Sequence, residues 1–272
     1  MSKNHCNESV DGTRVSSVEL VKQFNDIMVL ANKTDDNGAL LEKANEIAEH
    51  IIDITLETYE GTSDVYKAVR GNKLKEIDEI CWATLNKYID KYIPKDKHDI
   101  NILDVATGNG RDVIYGQSLG YNVIGTDNCN EFIAILSQLS EEGLIKTNSY
   151  KKCDMRNLDF ADNSFDVVRH NASLLHLPLI GKNYTTDLAV NEAFRVLNTG
   201  GLLYVFVKTG FTLEIHDTNE SLGGRVFQFF SHKMLNEVIT RNGFVIVHSS
   251  DEVEVRGKDN IDWILLIAQK NV

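Results

Sequence analysis

The sequence predicts an α/β protein: a seven-stranded, mostly parallel, doubly wound sheet with an antiparallel seventh strand, preceded by an N-terminal helical extension. Two textures of the chain support this fold class. Before Pro94, apolar residues recur at spacings of three and four, which indicates amphipathic helices. After Pro94, short β-branched runs alternate with helix-like segments, which is typical of a parallel sheet covered by helices on both faces.

The chain divides into three predicted parts. Residues 1–17 lack the apolar stretch of a signal peptide and are interpreted as a flexible tail. Residues 18–94 are predicted to form a helical cap, and residues 95–272 a ligand-binding α/β domain. The cap helices are expected in "SVELVKQFNDIMVLANK", "GALLEKANEIAEHIIDITLETY" and "NKLKEIDEICWATLNKYIDKYI".

Seven apolar runs after Pro94 predict the strands: "INILDVA", "YNVIGTD", "SYKKCD", "SFDVVRHNA", "GGLLYVFVK", "GFVIVHSSDEV" and "WILLIAQK". Helix-like segments begin near Arg111, Asn130 and Asn183 and connect the earlier runs. No helical segment separates the last two runs. We therefore expect them to pair as an antiparallel hairpin, which makes the seventh strand antiparallel.

The bulk composition argues against several classes of protein. The net charge of −12 disfavours broad attraction to a nucleic-acid backbone. The four cysteines are scattered and form no C-x-x-C pair, so we predict no metal site and no disulfide framework, as in a reducing cytoplasm. No apolar run approaches the roughly 18 residues of a membrane span. The sequence leaves open a monomer or a homodimer.

The stretch "NILDVATGNGRDVIYGQSLGYNVIGTD", residues 101–127, carries the first chemical signal. Gly108 and Gly110 follow the first predicted strand, where glycine permits a tight turn and a close approach of the backbone to a ligand. Asp127 ends the second strand, 127 − 108 = 19 positions further on. A carboxylate at that distance suits the two hydroxyls of a ribose. The stretch therefore predicts an adenosine-type ligand.

A dinucleotide is disfavoured, because Val113 stands where the third glycine of a G-x-G-x-x-G fingerprint would be. Instead, "ILDVATGNGRD" resembles the first motif of class I, Rossmann-like S-adenosylmethionine-dependent methyltransferases. "GTDNCNEFI", "CDMRNLDFADNSFDVV" and "FRVLNTGGLLYVFVK" resemble the segments that follow it in that family. The resemblance covers residues 58–272. Within the family, the chain resembles a bacterial subgroup that acts on small molecules. One departure is Ala106, at the usual place of the first glycine.

The resemblance implies a cofactor, S-adenosyl-L-methionine, and a role for each matching residue. Asp104 would orient the glycine turn, Asp127 would hold the ribose with Asn128 beside it, and Asp154 would accept from the adenine amine. The remaining cofactor residues that it implies are Ala106, Gly108 and Gly110 along the methionine part, Met155 against the ring, and Asn171 and Ala172 beside the sulfonium. Arg70 and Arg111 are candidates for the cofactor's carboxylate.

The acceptor side is expected from the N-terminal helices and from the segments after the fourth and fifth strands. Tyr59 and Tyr66 lie seven apart in "TYEGTSDVY", which resembles the entry of small-molecule methyltransferases; we assign Tyr59 to the cofactor and Tyr66 to the catalytic set. His176 is interpreted as a base or a polarising donor, with a structural role as the alternative. Lys208 and Arg225 are predicted to hold an anionic acceptor, with a solvated or salt-bridged charge as the alternative.

Together these observations predict methyl transfer to a small molecule, an acidic metabolite or a peptide carboxylate. Three alternatives remain open at this point. One is methylation of a modified tRNA base, which the acidic balance of the chain disfavours. Another is a non-catalytic protein that binds S-adenosylmethionine. The last is a nicotinamide dehydrogenase, which Val113 disfavours.

Overall fold

The structure, a computed structural model, describes residues 16–71, 74, 76–216, 225–250 and 262–271, with residues 65–70 and 216 described by their backbone alone. The helices are α1 (Ser17–Ala31), α2 (Gly38–Arg70), α3 (Glu76–Tyr92), α4 (Arg111–Ser118), α5 (Asn130–Glu141), α6 (Thr185–Val196) and α7 (His232–Arg241). The strands are β1 (Asn101–Val105), β2 (Asn122–Asp127), β3 (Tyr150–Lys152), β4 (Phe165–Asn171), β5 (Leu197–Lys208), β6 (Leu213–His216), β7 (Arg225–Gln228), β8 (Phe244–Ser249) and β9 (Trp263–Lys270).

The main sheet contains seven strands in the order β3-β2-β1-β4-β5-β9-β8. β9 pairs antiparallel with both β5 and β8, while the other neighbouring strands are parallel. The predicted fold class is confirmed, including the antiparallel seventh strand. The chain leaves β1 outward to β3 and then returns to β4 on the other side of β1. The switch in strand order therefore lies between β1 and β4, where open α/β sheets bind ligands.

Two layers of helices cover the sheet, one on each face, so its strands are buried on both sides. One hydrophobic cluster packs α6 and α7 against side chains such as Leu203 and Val205. The other packs α3, α4 and α5 against side chains such as Ile102 and Tyr204. α3 buries Trp82 and Leu85 completely against this second face, so this helix packs with the sheet rather than with the helices before it.

The other N-terminal helices have a core of their own. α1 and α2 pack against the two-stranded sheet of β6 and β7, which the sequence did not predict because both strands are only four residues long. Phe24 and Ile51 are buried in this cluster together with Leu213 and Val226. The amide of Asn25 also donates to the backbone carbonyl of Leu213 at 2.9 Å. We call α1, α2, β6 and β7 the cap.

The described part of the chain begins close to the predicted end of the N-terminal tail. Residues 1–15 of the predicted tail lie outside the described part of the chain. α1 begins at Ser17 because the Ser16 hydroxyl caps it by accepting from the Glu19 backbone N–H at 3.2 Å. No helix in the described ranges combines the length and the apolar character needed to span a bilayer.

Glycines on α4 and β2 allow the helix to approach the sheet closely. A Cβ atom on Gly125 would lie 2.7 Å from methyl carbons of both Thr107 and Val113. A Cβ atom on Gly116 would lie 2.7 Å from Val123 and 2.8 Å from Trp82. The absence of a side chain at Gly125 therefore leaves room for the Val113 side chain. In a dinucleotide-binding fold, the third glycine of the fingerprint allows this close approach instead.

Candidate functional site

The turn after β1 has a backbone that few residue types adopt. Ala106, Gly108 and Gly110 all have positive φ, at 54°, 59° and 77°. Glycine takes this conformation without strain, whereas alanine is strained there. The Thr107 N–H donates to the Thr126 carbonyl at 2.8 Å, which ties the turn to the end of β2. The turn lies at the switch in strand order and directs its backbone to the carboxyl edge of the sheet.

Two buried carboxylates hold this turn from below. Asp104, at the end of β1, accepts from the Thr107 hydroxyl at 2.5 Å. Asp127, at the end of β2, accepts from the Gly108 N–H and the Cys129 N–H, both at 2.9 Å. Burial raises the pKa of Asp127 to about 6, although the backbone donors oppose the shift. Each Asp127 oxygen uses one backbone donor and keeps acceptor capacity for a ligand.

A network that the sequence analysis missed lies beneath the turn. Arg169, in the middle of β4, is fully buried and forms ion pairs with Asp104 at 2.9 Å and Asp112 at 2.8 Å. Its guanidinium lies over the ring of Trp82, whose indole N–H donates to Asp112 at 2.8 Å. Burial raises the pKa of Asp104, with Arg169 opposing the shift. A charged residue inside the apolar run "FDVVRHN" was the available signal.

Asn171 ends β4 and joins this network. Its amide donates to the second Asp112 oxygen at 3.4 Å, and its carbonyl accepts from the Tyr204 hydroxyl at 3.3 Å. The next residue, Ala172, has a positive φ of 56°, and its N–H donates to the Phe206 carbonyl. Both residues therefore have fixed positions at the carboxyl end of β4, beside β5 and the start of α4.

The segment predicted to bind adenine carries an additional cation. Asp154 accepts from the Arg156 guanidinium at 2.7 Å, and Arg156 also binds Glu49 of α2 at 2.7 and 2.8 Å. Burial opposes ionisation of Asp154, but hydrogen bonds and the charge of Arg156 outweigh it, so its pKa lies below the ordinary value. Met155 is half-buried against the core beside it. An adenine amine would share Asp154 with Arg156.

The candidates for the cofactor's carboxylate have different surroundings. Arg111, at the start of α4, is buried and pairs with Asp78 of α3 at 3.0 Å. Arg70 and Tyr66 belong to α2, but their side chains lie outside the part of the chain that the structure describes. Asn128 is half-buried between Asp127 and α5. The roles assigned to these residues stay predictions.

Three predicted residues from distant segments converge on the acceptor side. The Tyr59 hydroxyl on α2 lies 3.0 Å from His176 Nε2, which belongs to the short turn Leu174–His176. Arg225 Nη1 on β7 donates to the same hydroxyl at 3.3 Å. The Tyr59 ring is 5.8 Å from the ring of Phe132, on α5. Tyr59 thus contacts three elements: His176 after β4, Arg225 on β7 and Phe132 on α5.

The charges around His176 keep its ring neutral. Burial lowers the pKa of His176 to about 3, and the positive charge of Arg225 adds to this effect. Lys208, at the end of β5, acts in the same direction. Protonated His176 would place a third positive charge beside Lys208 and Arg225, which are both buried. The ring is therefore suited to hydrogen bonding at neutral pH and is a weak proton acceptor.

Comparisons with known proteins agree with this arrangement. Residues 103–205 match a family model described as "Methyltransferase domain". The chain is 30% identical over 140 residues to the ubiquinone/menaquinone biosynthesis C-methyltransferase UbiE of Bdellovibrio bacteriovorus, covering 50% of this chain and 53% of that one. It is 32% identical over 111 residues to a sterol 24-C-methyltransferase of Yarrowia lipolytica, covering 39% of this chain and 27% of that one. The chain thus spans about half, or less, of these curated relatives.

A solved structure shares the fold over most of its length. A SAM-dependent methyltransferase from Thermotoga maritima superposes with a TM-score of 0.52 at 16% identity, covering 80% of this chain and 100% of that one. At this identity the likeness concerns the fold. The matching family model adds the sequence of the glycine turn, β2 and β4, which are the elements that build the site described above.

Proposed function

Since this chain carries a class I S-adenosylmethionine-dependent methyltransferase domain, we propose that it transfers a methyl group from S-adenosylmethionine to a small-molecule acceptor in the cytoplasm. The observation that carries the proposal is the contact between Asp127 and the Gly108 N–H at 2.9 Å. This contact supports the proposal because it joins the carboxylate proposed to bind the ribose to a backbone-exposing turn at the switch in strand order.

The residues present fit the cofactor. Asp127 is only 8% exposed, and burial raises its pKa although backbone N–H groups donate to it. Two ribose hydroxyls would supply further donors. The positive-φ turn at Ala106, Gly108 and Gly110 brings backbone close to the ligand, and Asp154 with Met155 flanks the place proposed for adenine. Asn171 and Ala172 border the place proposed for the sulfonium.

The protein's own residues act by positioning and by excluding water. S-adenosylmethionine supplies, when bound, a methyl group on a cationic sulfur. The methyl group would pass to the acceptor by in-line displacement, with the sulfur as the leaving group. The cap covers the carboxyl edge of the sheet, and Tyr59 joins it to Phe132 on the cofactor side and to His176 on the acceptor side. Alignment of the two reactants and removal of water then account for most of the rate.

His176 is proposed as a positioning residue for Tyr59. Arg225 can only donate, so the Tyr59 oxygen accepts from it and can give its own proton to His176 Nε2. The neutral ring provides the matching acceptor in that arrangement. We propose this role rather than that of a general base because burial, with the neighbouring cations, lowers the pKa of His176 to about 3. Tyr66 keeps its proposed place in the catalytic set, and Arg70 keeps its proposed role at the cofactor's carboxylate.

Calorimetry with S-adenosylhomocysteine tests the proposal. The purified chain is expected to bind it, and Asp127→Ala is expected to weaken binding on the order of tenfold or more, because charged hydrogen bonds contribute about 1.5–3 kcal/mol. Asp96→Ala removes an exposed carboxylate and serves as the control. Tritium transfer from labelled S-adenosylmethionine into a metabolite extract, compared with total RNA, then tests turnover. No heat with S-adenosylhomocysteine, or label in RNA alone, contradicts the proposal.

A further inference from the structure

We propose that the methyl acceptor is a small molecule with a carboxylate or an equivalent anionic group, and that this group binds between Arg225 and Lys208. The inference rests on the proposed function, because it concerns the second substrate of the same site. It depends on three observations: the burial of both cations, the neutral surroundings of Arg225, and their position relative to Asp127.

Both cations are removed from solvent. Lys208 is 5% exposed and Arg225 is 6% exposed. A buried charge is costly unless an opposite charge or several hydrogen bonds compensate it. Both groups also lie against one aromatic ring, since Lys208 Nζ is 5.0 Å and the Arg225 guanidinium 5.3 Å from the centroid of Phe227. Two like charges therefore lie against the same ring.

Arg225 has no carboxylate partner among the described residues. Its hydrogen bond goes to the neutral Tyr59 hydroxyl, and its guanidinium lies 5.6 Å from the Tyr59 ring. Its Nε atom is buried and has no hydrogen-bond partner. Other arginines of the described chain differ from it: Arg111, Arg156 and Arg169 all form ion pairs with aspartates. The guanidinium of Arg225 therefore keeps a donor edge that suits a planar carboxylate.

The position of the pair assigns it to the acceptor rather than to the ribose end of the cofactor. β5, which ends at Lys208, is three strands away from β2, which ends at Asp127. Tyr59 lies between them, with Phe132 on one side and Arg225 on the other. Val226, the neighbour of Arg225, packs in the cap core with α1 and α2. The packing of the cap core therefore fixes the position of the Arg225 guanidinium.

The test uses the full chain saturated with S-adenosylhomocysteine and two pairs of probes: benzoate with benzamide, and hexanoate with hexanamide. Each amide has the shape of its acid without the charge. At least one acid is expected to bind ten times or more tightly than its amide. Arg225→Met is expected to weaken that acid tenfold or more and to leave its amide within twofold. Arg225→Lys, which keeps the charge but loses the planar donor edge, should bind the acid more weakly than the unchanged chain and more tightly than Arg225→Met. Lys233→Met on the exposed face of α7 should change nothing.

Three results overturn the inference. One is equal binding of the acids and their amides. Another is an Arg225→Met variant that loses S-adenosylhomocysteine affinity and keeps the acid, since the guanidinium would then serve the cofactor's own carboxylate. A third comes from the labelled extract: methylated product whose acceptor is found in the fraction that passes through an anion-exchange resin. In all three cases the proposed methyl transfer still stands, whereas a chain that binds no S-adenosylhomocysteine contradicts the proposed function itself.

Discussion

At the scale of single residues, the site depends on ionisable groups that are removed from water. Asp127, Asp104 and Arg169 are 8%, 1% and 0% exposed. Arg169 holds Asp104 and Asp112 together, and Asp104 in turn holds Thr107 in the glycine turn. Removing one member of such a buried network leaves an unpaired charge, which costs more than the network contributes when intact. We therefore attribute the fixed shape of the turn to Arg169 as well as to the glycines.

The pKa of Asp127 makes cofactor binding depend on pH. The carboxyl, with a pKa of about 6, is protonated below that pH, whereas ribose hydroxyls donate best to the ionised form. The dissociation constant of S-adenosylhomocysteine should therefore fall as pH rises from 5 to 7, by up to about tenfold per pH unit below the pKa. Calorimetry at constant ionic strength measures this, and Asp127→Asn should flatten the dependence.

The same shift acts in the opposite direction on the stability of the free protein. The folded pKa of Asp127 lies above the ordinary 3.8, so the folded state binds more protons than the unfolded state between pH 4 and 6. The free energy of unfolding contributed by this group therefore falls as pH rises through that range.

For the binding prediction, a dissociation constant of S-adenosylhomocysteine that does not change between pH 5 and 7 would contradict the assignment of Asp127 to the ribose.

At the scale of elements, two glycines inside helices have opposite roles. Gly116 in α4 faces Trp82 and Val123 at distances that leave no room for a methyl group. Gly61 in α2 has no heavy atom within 4 Å of an added Cβ. The first glycine is required by packing between α3, α4 and β2. The second lowers helix propensity without any packing reason in the described contacts.

This pair gives a matched prediction. Gly116→Ala should lower the free energy of unfolding by about 1–3 kcal/mol, because overpacking forces Trp82 or the helix to move. Gly61→Ala should raise it by roughly 0.5–1 kcal/mol, because alanine is the better residue inside a helix. Denaturant unfolding of both variants measures the difference. Equal effects of the two substitutions would mean that α4 does not pack against Trp82 as described.

At the scale of the whole molecule, the protein combines a sheet with two covered faces and a cap that has its own core. Polar contacts connect the cap to the ligand edge, among them Tyr59 with His176 and Glu49 with Arg156. Glu49 is 44% exposed, so its ion pair contributes little to stability. Most of the stability of the cap therefore comes from its apolar cluster around Phe24.

Phe24→Ala tests this division of the molecule. Phe24 is 2% exposed, and its truncation should lower the free energy of unfolding by about 3–5 kcal/mol where the cap unfolds with the rest. Val29→Ala on the outer face of the same helix, where Val29 is 53% exposed, should stay within about 0.5 kcal/mol. We expect the affinity for the acid that binds to fall in Phe24→Ala and to stay unchanged in Val29→Ala. Similar behaviour of the two variants would contradict a separate cap core.

The sequence by itself determined the sheet and the first half of the site. Strand periodicity, the glycine turn and the distance from Gly108 to Asp127 are local or nearly local patterns, because backbone conformation and strand ends are set by neighbouring residues. Contacts between distant segments could not be predicted in this way. Tyr59 meets His176 across 117 positions and Arg225 across 166, and Arg156 reaches Glu49 across 107. Only the packing of the cap core and the order of the strands decide which of these side chains meet. The partners of Arg169 and the burial of Lys208 and Arg225 were therefore decided by the tertiary structure.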